Sequence, residues 1–213
     1  MRLDLHIHTT ASPCSRLGLA DILSRARDLG LDGVCLTDHD RVSRAALELE
    51  GVQDDGLVVL VGMEYTTAEG DFLAFGPVEE LPLGLPAREL LPALRDLGGV
   101  AVAAHPFRSW RLTDPEVFSL GLETGLAVER YNGRNLAQEN EKVQILVDRF
   151  GLHATGGSDA HSVNELGVAV TRFSRPVRTR AELVAALLAG DCEPELTPRG
   201  LRRFQVPLPS IWA

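Results

Sequence analysis

The chain has 213 residues, 45% of them hydrophobic and 24% charged, which is the balance of a soluble globular protein of one domain, or one domain with a short appendage. Its formal charge of −9 excludes a generic nucleic-acid coat, which needs a basic face, although cations bound at a site would reverse the local sign. No apolar run approaches the roughly 18 residues of a membrane span; a charge interrupts the one N-terminal stretch that could serve as a signal sequence. The three cysteines Cys14, Cys35 and Cys192 are too few and too irregular for a disulfide framework, so a cytoplasmic location is expected.

In chain order, Leu3–His8 reads as a strand and Leu19–Leu29 as an amphipathic helix closed by Gly30. Strands follow at Gly33–Thr37 and Leu57–Met63, and a short run, Phe72–Gly76, folds back on Leu57–Tyr65 as a hairpin. The next helix is Ala87–Leu97, closed by Gly98, and the next strand Val100–Ala104. Thr113-Asp114-Pro115-Glu116 reads as a capping box. Leu126–Arg130 is a strand, Leu136–Phe150 a helix closed by Gly151, and His153–Gly156 and Val168–Phe173 are strands. A second capping box, Thr179-Arg180-Ala181-Glu182, opens a helix over Arg180–Leu188 that ends at Gly190.

Strand–helix alternation with Val/Ile/Leu-rich strands predicts a parallel α/β sheet, and seven such units suggest a closed (β/α)7 barrel, TIM-barrel-like but one unit short. An open doubly wound sheet is the alternative. The domain is expected over 1–192, with 193–213, which contains four prolines, as an extension lying on the surface.

Metal-competent residues recur where these strands end. His6-Ile7-His8 closes the first strand, and residues two apart on a strand face one way. Thr37-Asp38-His39-Asp40 ends the second strand, Gly62-Met63-Glu64 the third and Ala104-His105-Pro106 the fourth; Gly157-Ser158-Asp159-Ala160-His161 follows the sixth. In a parallel barrel those ends converge on the face where active sites form. Singly, each has a plainer reading: a surface histidine pair, a core histidine, an Asx turn, a helix cap. Together they would be unrelated coincidences at one end of the strands. Imidazole and carboxylate donors suit Mn²⁺, Zn²⁺ or Fe²⁺. His6, His8, His39, Glu64, His105, Asp159 and His161 exceed the needs of one tetrahedral ion, so two or three divalent cations are expected.

These residues stand in the order of the PHP (polymerase and histidinol phosphatase) family of metal-dependent phosphoesterases, which the chain resembles over about residues 3 to 161. The resemblance implies a distorted seven-stranded (β/α) barrel and a di- or trinuclear centre. It gives the first metal to His6, His8, Glu64 and Asp159, the second to Glu64 and His105, and the third to His39 and His161. Two positions depart from the family pattern. Cys14 stands near where many relatives carry an Asp or His, and Glu129 and Asn132 stand near where a further His is usual.

The expected activity is hydrolysis of a phosphate monoester of a small molecule or nucleotide by a metal-activated hydroxide. Asp38 and His161 are the candidates for proton transfer, with Asp40 as another option. Arg108, Arg134 and Asn132, on loops at the active face, are the candidates for binding phosphate. Arg41 and Arg44 are weaker choices; Phe107 and Trp110 either pack or stack on a base, and His153 reads as structural. A 5′–3′ exonuclease acting on short oligonucleotides is the nearest alternative, but the acidic charge offers no track for a long strand. A non-catalytic metal-binding module is another. An amidohydrolase with a bridging lysine is disfavoured, because the one lysine, Lys142, falls in a predicted helix.

Overall fold

The computed structural model describes residues 1–205. In chain order its elements are β1 (Arg2–Ile7), α1 (Leu19–Asp28), β2 (Gly33–Leu36), α2 (Arg44–Glu48), β3 (Gly51–Val52), β4 (Val58–Val61), β5 (Met63–Thr66), β6 (Asp71–Phe75), α3 (Ala87–Asp96), β7 (Val100–Ala103), β8 (Phe107–Arg108), β9 (Arg111–Leu112), α4 (Gly121–Thr124), β10 (Ala127–Asn132), α5 (Ala137–Phe150), β11 (Ala154–Gly157), β12 (Ala169–Phe173), α6 (Arg180–Ala189), β13 (Cys192–Leu196) and α7 (Pro198–Arg203). Gly30, Gly98, Gly151 and Gly190 follow helix ends with positive φ, as their positions predict. Thr179 and Glu182 form the expected capping box. At the other expected box the cap is Asp114, which accepts from Glu116 N at 2.9 Å and opens a 3-10 turn over Pro115–Leu120, with no α-helix there.

The fold is mixed α/β, but the described strands do not close into a seven-stranded parallel ring. They form one sheet in the order β13-β12-β1-β2-β4-β3 and another in the order β11-β10-β7-β6-β5, with β8 and β9 as a separate hairpin. β1, β2 and β4 run parallel, as do β7, β10 and β11. β12 is antiparallel to β1, and β6 is antiparallel to both β5 and β7. The connections explain this. β5 and β6 are joined by a tight hairpin, and the chain returns from β11 to β12 without a helix, so no crossover imposes parallel pairing. The expected boundary after residue 192 falls inside β13, an edge strand paired with β12. Residues 206–213 of the expected extension lie outside the described residues.

Three apolar clusters hold these layers. Leu17, Ile22, Ala26 and Ala46, on and beside α1 and α2, cover the outside of the first sheet against Val34, Leu36, Val59 and Val61. Leu90, Leu91 and Leu94 of α3 and Val143 and Leu146 of α5 cover the second. Between the sheets, Leu3, Leu5, Cys35 and Leu60 meet Leu73, Phe75, Val102 and Ala127, and α6 plugs one end with Leu183, Val184 and Leu187. The sheets approach each other in two places. Only Gly62 separates β4 in the first sheet from β5 in the second. On the other side Gly156 lies against β12, donating to Thr171 Oγ1 at 2.9 Å and accepting from it at 2.8 Å.

A Cβ on Gly156 would stand 2.5 Å from Val170 O, which is backbone and cannot swing away. Gly156→Ala should therefore destabilise the fold by about 1–3 kcal/mol, read as a lower denaturation midpoint; an unchanged midpoint would mean that the two sheets are not in contact there.

Candidate metal centre

Two irregularities in the strands turn polar residues inward at the end opposite α6. Leu3 and Leu5 of β1 belong to the cluster between the sheets, whereas Ile7 belongs to the outer cluster against α1. The pairing of β1 with β2 slips between Asp4 and Ile7, and this switch of face brings His6 and His8 inward where alternation would have sent them out. A matching slip in β10, between Glu129 and Tyr131, lets Glu129 and Asn132 both turn toward the same end. His39 follows β2 and bridges to Glu64 of β5, joining the two sheets. His105 and Asp159 follow β7 and β11 with φ of 31° and 53°, a left-handed backbone that is costly for non-glycine residues and is found at functional sites.

The side chains meet closely. His6 Nε2 and His8 Nε2 are 3.0 Å apart. Glu64 Oε2 lies 3.3 Å from the first and 3.1 Å from the second, and Asp159 Oδ1 lies 3.6 and 3.3 Å from them. Donors around a four-coordinate ion at about 2.05 Å stand about 3.3 Å from one another, so this set has the size of one coordination shell. The other oxygen of Glu64, Oε1, lies 2.9 Å from His105 Nε2, and Oε2 also lies 3.2 Å from His39 Nδ1. Glu64 thus reaches into more than one donor set. Three groupings could each hold a cation: His6, His8 and Asp159; His6, Glu64 and His105; and His8, Cys14, His39 and His161. The donors match divalent metal chemistry in type as well as spacing.

Neighbouring groups fix the ligands. Glu129 is fully buried; its Oε1 lies 2.9 Å from His6 Nδ1, while Oε2 accepts from His105 N and Asn132 Nδ2, each at 2.9 Å. A proton on His6 Nδ1 leaves Nε2 free for a metal. Arg108, expected on a loop, is a buried member of β8. It donates to Asp159 Oδ2 at 2.6 Å, to Asn132 Oδ1 at 2.8 Å and, through Nε, to Asn135 Oδ1 at 3.1 Å. Asn132 also accepts from Arg134 N at 2.9 Å, and Arg134 reaches His161 Nδ1 at 2.9 Å near the mouth. Asp38 accepts from Thr9 N and Thr9 Oγ1 at 2.8 and 2.7 Å and from Ser12 Oγ at 2.5 Å, so both its oxygens are engaged with the loop after β1. Asp40 accepts from Thr66 N at 2.7 Å and so ties the turn after β2 to β5.

Sequence spacing does not mark Ser12 or Asn135. Asp4 does carry a signal, a charge inside an apolar strand. It is fully buried, where it accepts from Ser158 N and Gly167 N, each at 2.9 Å, and burial pushes its carboxyl up to about 6 against those hydrogen bonds. Trp110 is exposed, with the Arg108 guanidinium 5.2 Å from its ring, and His153 packs against Gly190 away from the cluster.

The electrostatics are those of a site built around positive charge. Burial opposes ionisation of Glu64, yet His6 and hydrogen bonds from His105, His6 and His8 hold its carboxyl well below the usual range. Asp159 is likewise held low against burial, by His6, His8 and Arg108. Burial also opposes a charge on His6, but Asp159, Glu129 and Glu64 carry its pKa well above the ordinary value. His161, desolvated by burial and close to His8, is pushed down to about 4.

The PHP domain model matches residues 4–152 and a PHP-associated model matches residues 137–192. The chain belongs to the PHP domain family. It is 31% identical over 144 residues to the uncharacterized protein MJ1587 of Methanocaldococcus jannaschii, covering 62% of this chain and 82% of that one. Among solved structures it is similar to PsfC from Pseudomonas syringae, with a TM-score of 0.73 at 21% identity over 94% of this chain and 93% of that one. A candidate metal-dependent phosphoesterase from Bifidobacterium adolescentis gives a TM-score of 0.62 at 19% identity over 90% and 96% of the two chains. Endonuclease Q, bound to a duplex with an abasic lesion, gives 0.67 at 18% identity; the match covers 92% of this chain but 58% of that one. At these identities the likeness is one of fold. Among the described residues no helix is long and apolar enough to cross a membrane.

Two outcomes follow. Glu129→Gln keeps the shape but loses the charge facing His6, and should weaken divalent-cation affinity roughly 10- to 100-fold in competition with a chelator; equal affinity would remove Glu129 from the site. Because His6 holds its proton above the ordinary imidazole range, a cation must displace that proton. Affinity should therefore rise with pH through neutrality with proton release, and calorimetry in buffers of different ionisation enthalpy reads this directly; pH-independent binding would contradict it.

Proposed function

We propose that the protein is a divalent-cation-dependent phosphoesterase that hydrolyses a phosphate monoester of a small molecule or nucleotide, using Mn²⁺, Zn²⁺ or Fe²⁺. The observation that carries this reading is the shared carboxylate. One oxygen of Glu64 lies among His6, His8 and His39, and the other beside His105, the arrangement expected of a bridge between two ions. Such an ion pair, when bound, lowers the pKa of a water from about 15.7 to roughly 7 and offsets the charge that grows on a phosphoryl group.

The chain's own residues divide the remaining work. Arg134 lies near the mouth beside His161 and is partly exposed, so its guanidinium is available to a phosphate oxygen. Arg108 is held by Asp159, Asn132 and Asn135; its role is to keep Asp159 Oδ1 turned toward His6 and His8 while Oδ2 is occupied. Asn132 orients both arginines through one oxygen. His161, beside Arg134 and Cys14 at the mouth and with its pKa lowered to about 4 by burial, is better placed to hold a cation than to carry a proton. Asp38 supports the loop after β1, because its oxygens are already engaged by Thr9 and Ser12.

The fold shared with Endonuclease Q favours one second reading, cleavage of a nucleic acid. Against it stands the net charge of −9, which gives a long strand no electrostatic track. A phosphate-release screen with added Mn²⁺, run beside labelled oligonucleotides, decides between them. Release from nucleoside or sugar phosphates with intact oligonucleotides is expected; cleavage confined to oligonucleotides would overturn the proposal. Within it, Arg134→Ala should raise KM by roughly ten- to a hundredfold, the loss of one charge-assisted hydrogen bond, with kcat changed far less; an unaltered KM would place phosphate binding elsewhere.

A further inference from the structure

Cys14 sits in the loop between β1 and α1, a segment tied down at several points. Ser15 Oγ donates to His8 O at 2.8 Å, Ser15 N to Ser12 O at 3.0 Å, and Arg16 N to His161 O at 3.4 Å. Ser12 joins the same loop to Asp38, and through it to the end of β2. This framework sets the thiol of Cys14 3.1 Å from His161 Nε2. The donor atoms of His8, Cys14, His39 and His161 all lie within 4.8 Å of one another. The rings of His8 and His39 are stacked with centroids 4.5 Å apart, and those of His8 and His161 are 4.3 Å apart, so the imidazoles crowd one point at the mouth.

A nitrogen at about 2.05 Å and a sulfur at about 2.3 Å from one ion stand about 3.1 Å apart at a right angle and about 3.6 Å apart at the tetrahedral angle. The Cys14–His161 separation falls at the short end of that range. The other nitrogen of His161, Nδ1, lies 2.9 Å from Asp159 O. Nδ1 also lies 2.9 Å from the Arg134 guanidinium, so its two neighbours hold the ring in place with Nε2 facing Cys14. Cys35 and Cys192 are free thiols elsewhere in the fold, so Cys14 has no disulfide partner among the described residues.

We propose that Cys14 is a cation ligand, completing with His39 and His161 a sulfur-containing site at the mouth that takes zinc in preference to manganese. The inference rests on the cation-binding part of the function proposed above and not on its phosphoester part. Ligation exchanges the thiol proton for the metal, so one proton is released as the ion binds. A thiolate is a soft donor and favours zinc over manganese, whereas His6, His8, Glu64 and Asp159 form a harder nitrogen and oxygen set that accepts either. The cluster would then hold unlike ions in a fixed arrangement, with the more selective position outermost.

The full chain, stripped by chelator and reloaded with Co²⁺ alone, reports a sulfur ligand by a near-ultraviolet thiolate-to-cobalt absorption that nitrogen and oxygen ligands do not give. The expected result is that band in the native sequence, its loss in Cys14→Ser, and its persistence in Cys192→Ser. Zinc content in Cys14→Ser should fall by about one ion per chain, while Cys14→Asp should keep the ion count and lose the band, which separates loss of a ligand from loss of the fold. A native chain that takes up cobalt with no thiolate band, or a Cys14→Ser chain with undiminished zinc, overturns the proposal while leaving the phosphoesterase reading intact. A chain that takes up no cobalt overturns both. A chain with the band but no phosphatase activity removes only the phosphoesterase reading.

Discussion

Everything at the functional end depends on a carboxylate placed where no carboxylate would rest alone. Glu64 is 1% exposed, and its neighbours are as closed to water: Asp159 is 2% exposed, and His6, His8 and Glu129 are fully buried. Removing such charges from water costs several kcal/mol each unless opposite charge and hydrogen bonds are supplied in good geometry. The imidazoles supply part of this, and Arg108 offsets one oxygen of Asp159. The remainder is what a divalent cation held there would provide. The cluster is thus organised by charge balance as much as by packing, which explains why so many polar side chains at this end serve only to hold other polar side chains.

The scaffold serves that balance through local departures from regularity. Slips in β1 and β10 change which side chains face inward, so strands that begin as core end as ligand supports. Left-handed backbone at Asp40, His105 and Asp159 turns the chain sharply at strand exits. These features are unfavourable in isolation and are sustained by the hydrogen bonds around them, among them His105 N to Glu129 and Thr66 N to Asp40.

Much of this was legible in the sequence, for identifiable reasons. Each of the seven β-rich runs overlaps a strand, and those at Leu57–Met63 and Val100–Ala104 do so as unbroken apolar stretches. Positive-φ glycines and the Thr179 capping box mark helix ends through backbone requirements that do not depend on the rest of the fold. The convergence of His6, His8, Glu64, His105 and Asp159 followed from their positions at strand ends. What local pattern did not carry was strand direction. Nothing within Val168–Phe173 says that it runs antiparallel to β1, because that depends on a return from β11 made without a helix. Nor did pattern separate Arg108 from Arg134. Both follow a motif residue by a few positions, yet one is buried against Asp159 and the other stands near the mouth, a difference set by the β8–β9 hairpin and its bidentate clamp of Arg111 on Asp71.

The passage of the chain through Gly62 has a mechanical side. Two sheets linked through the single residue Gly62 on one side, and by the return from β11 to β12 beside the contact at Gly156 on the other, form a shell with a seam at the polar end. His6, His8 and His39 stand on one side of that seam, and Glu64, His105 and Glu129 on the other. An ion gripped from both sides is a clasp across the seam. By mass action it favours the closed shell over the open chain in proportion to its free concentration. Metal supply would then enter the folding equilibrium itself, so that scarcity softens the shell at the end where turnover would occur while the apolar plug at α6 keeps the other end shut.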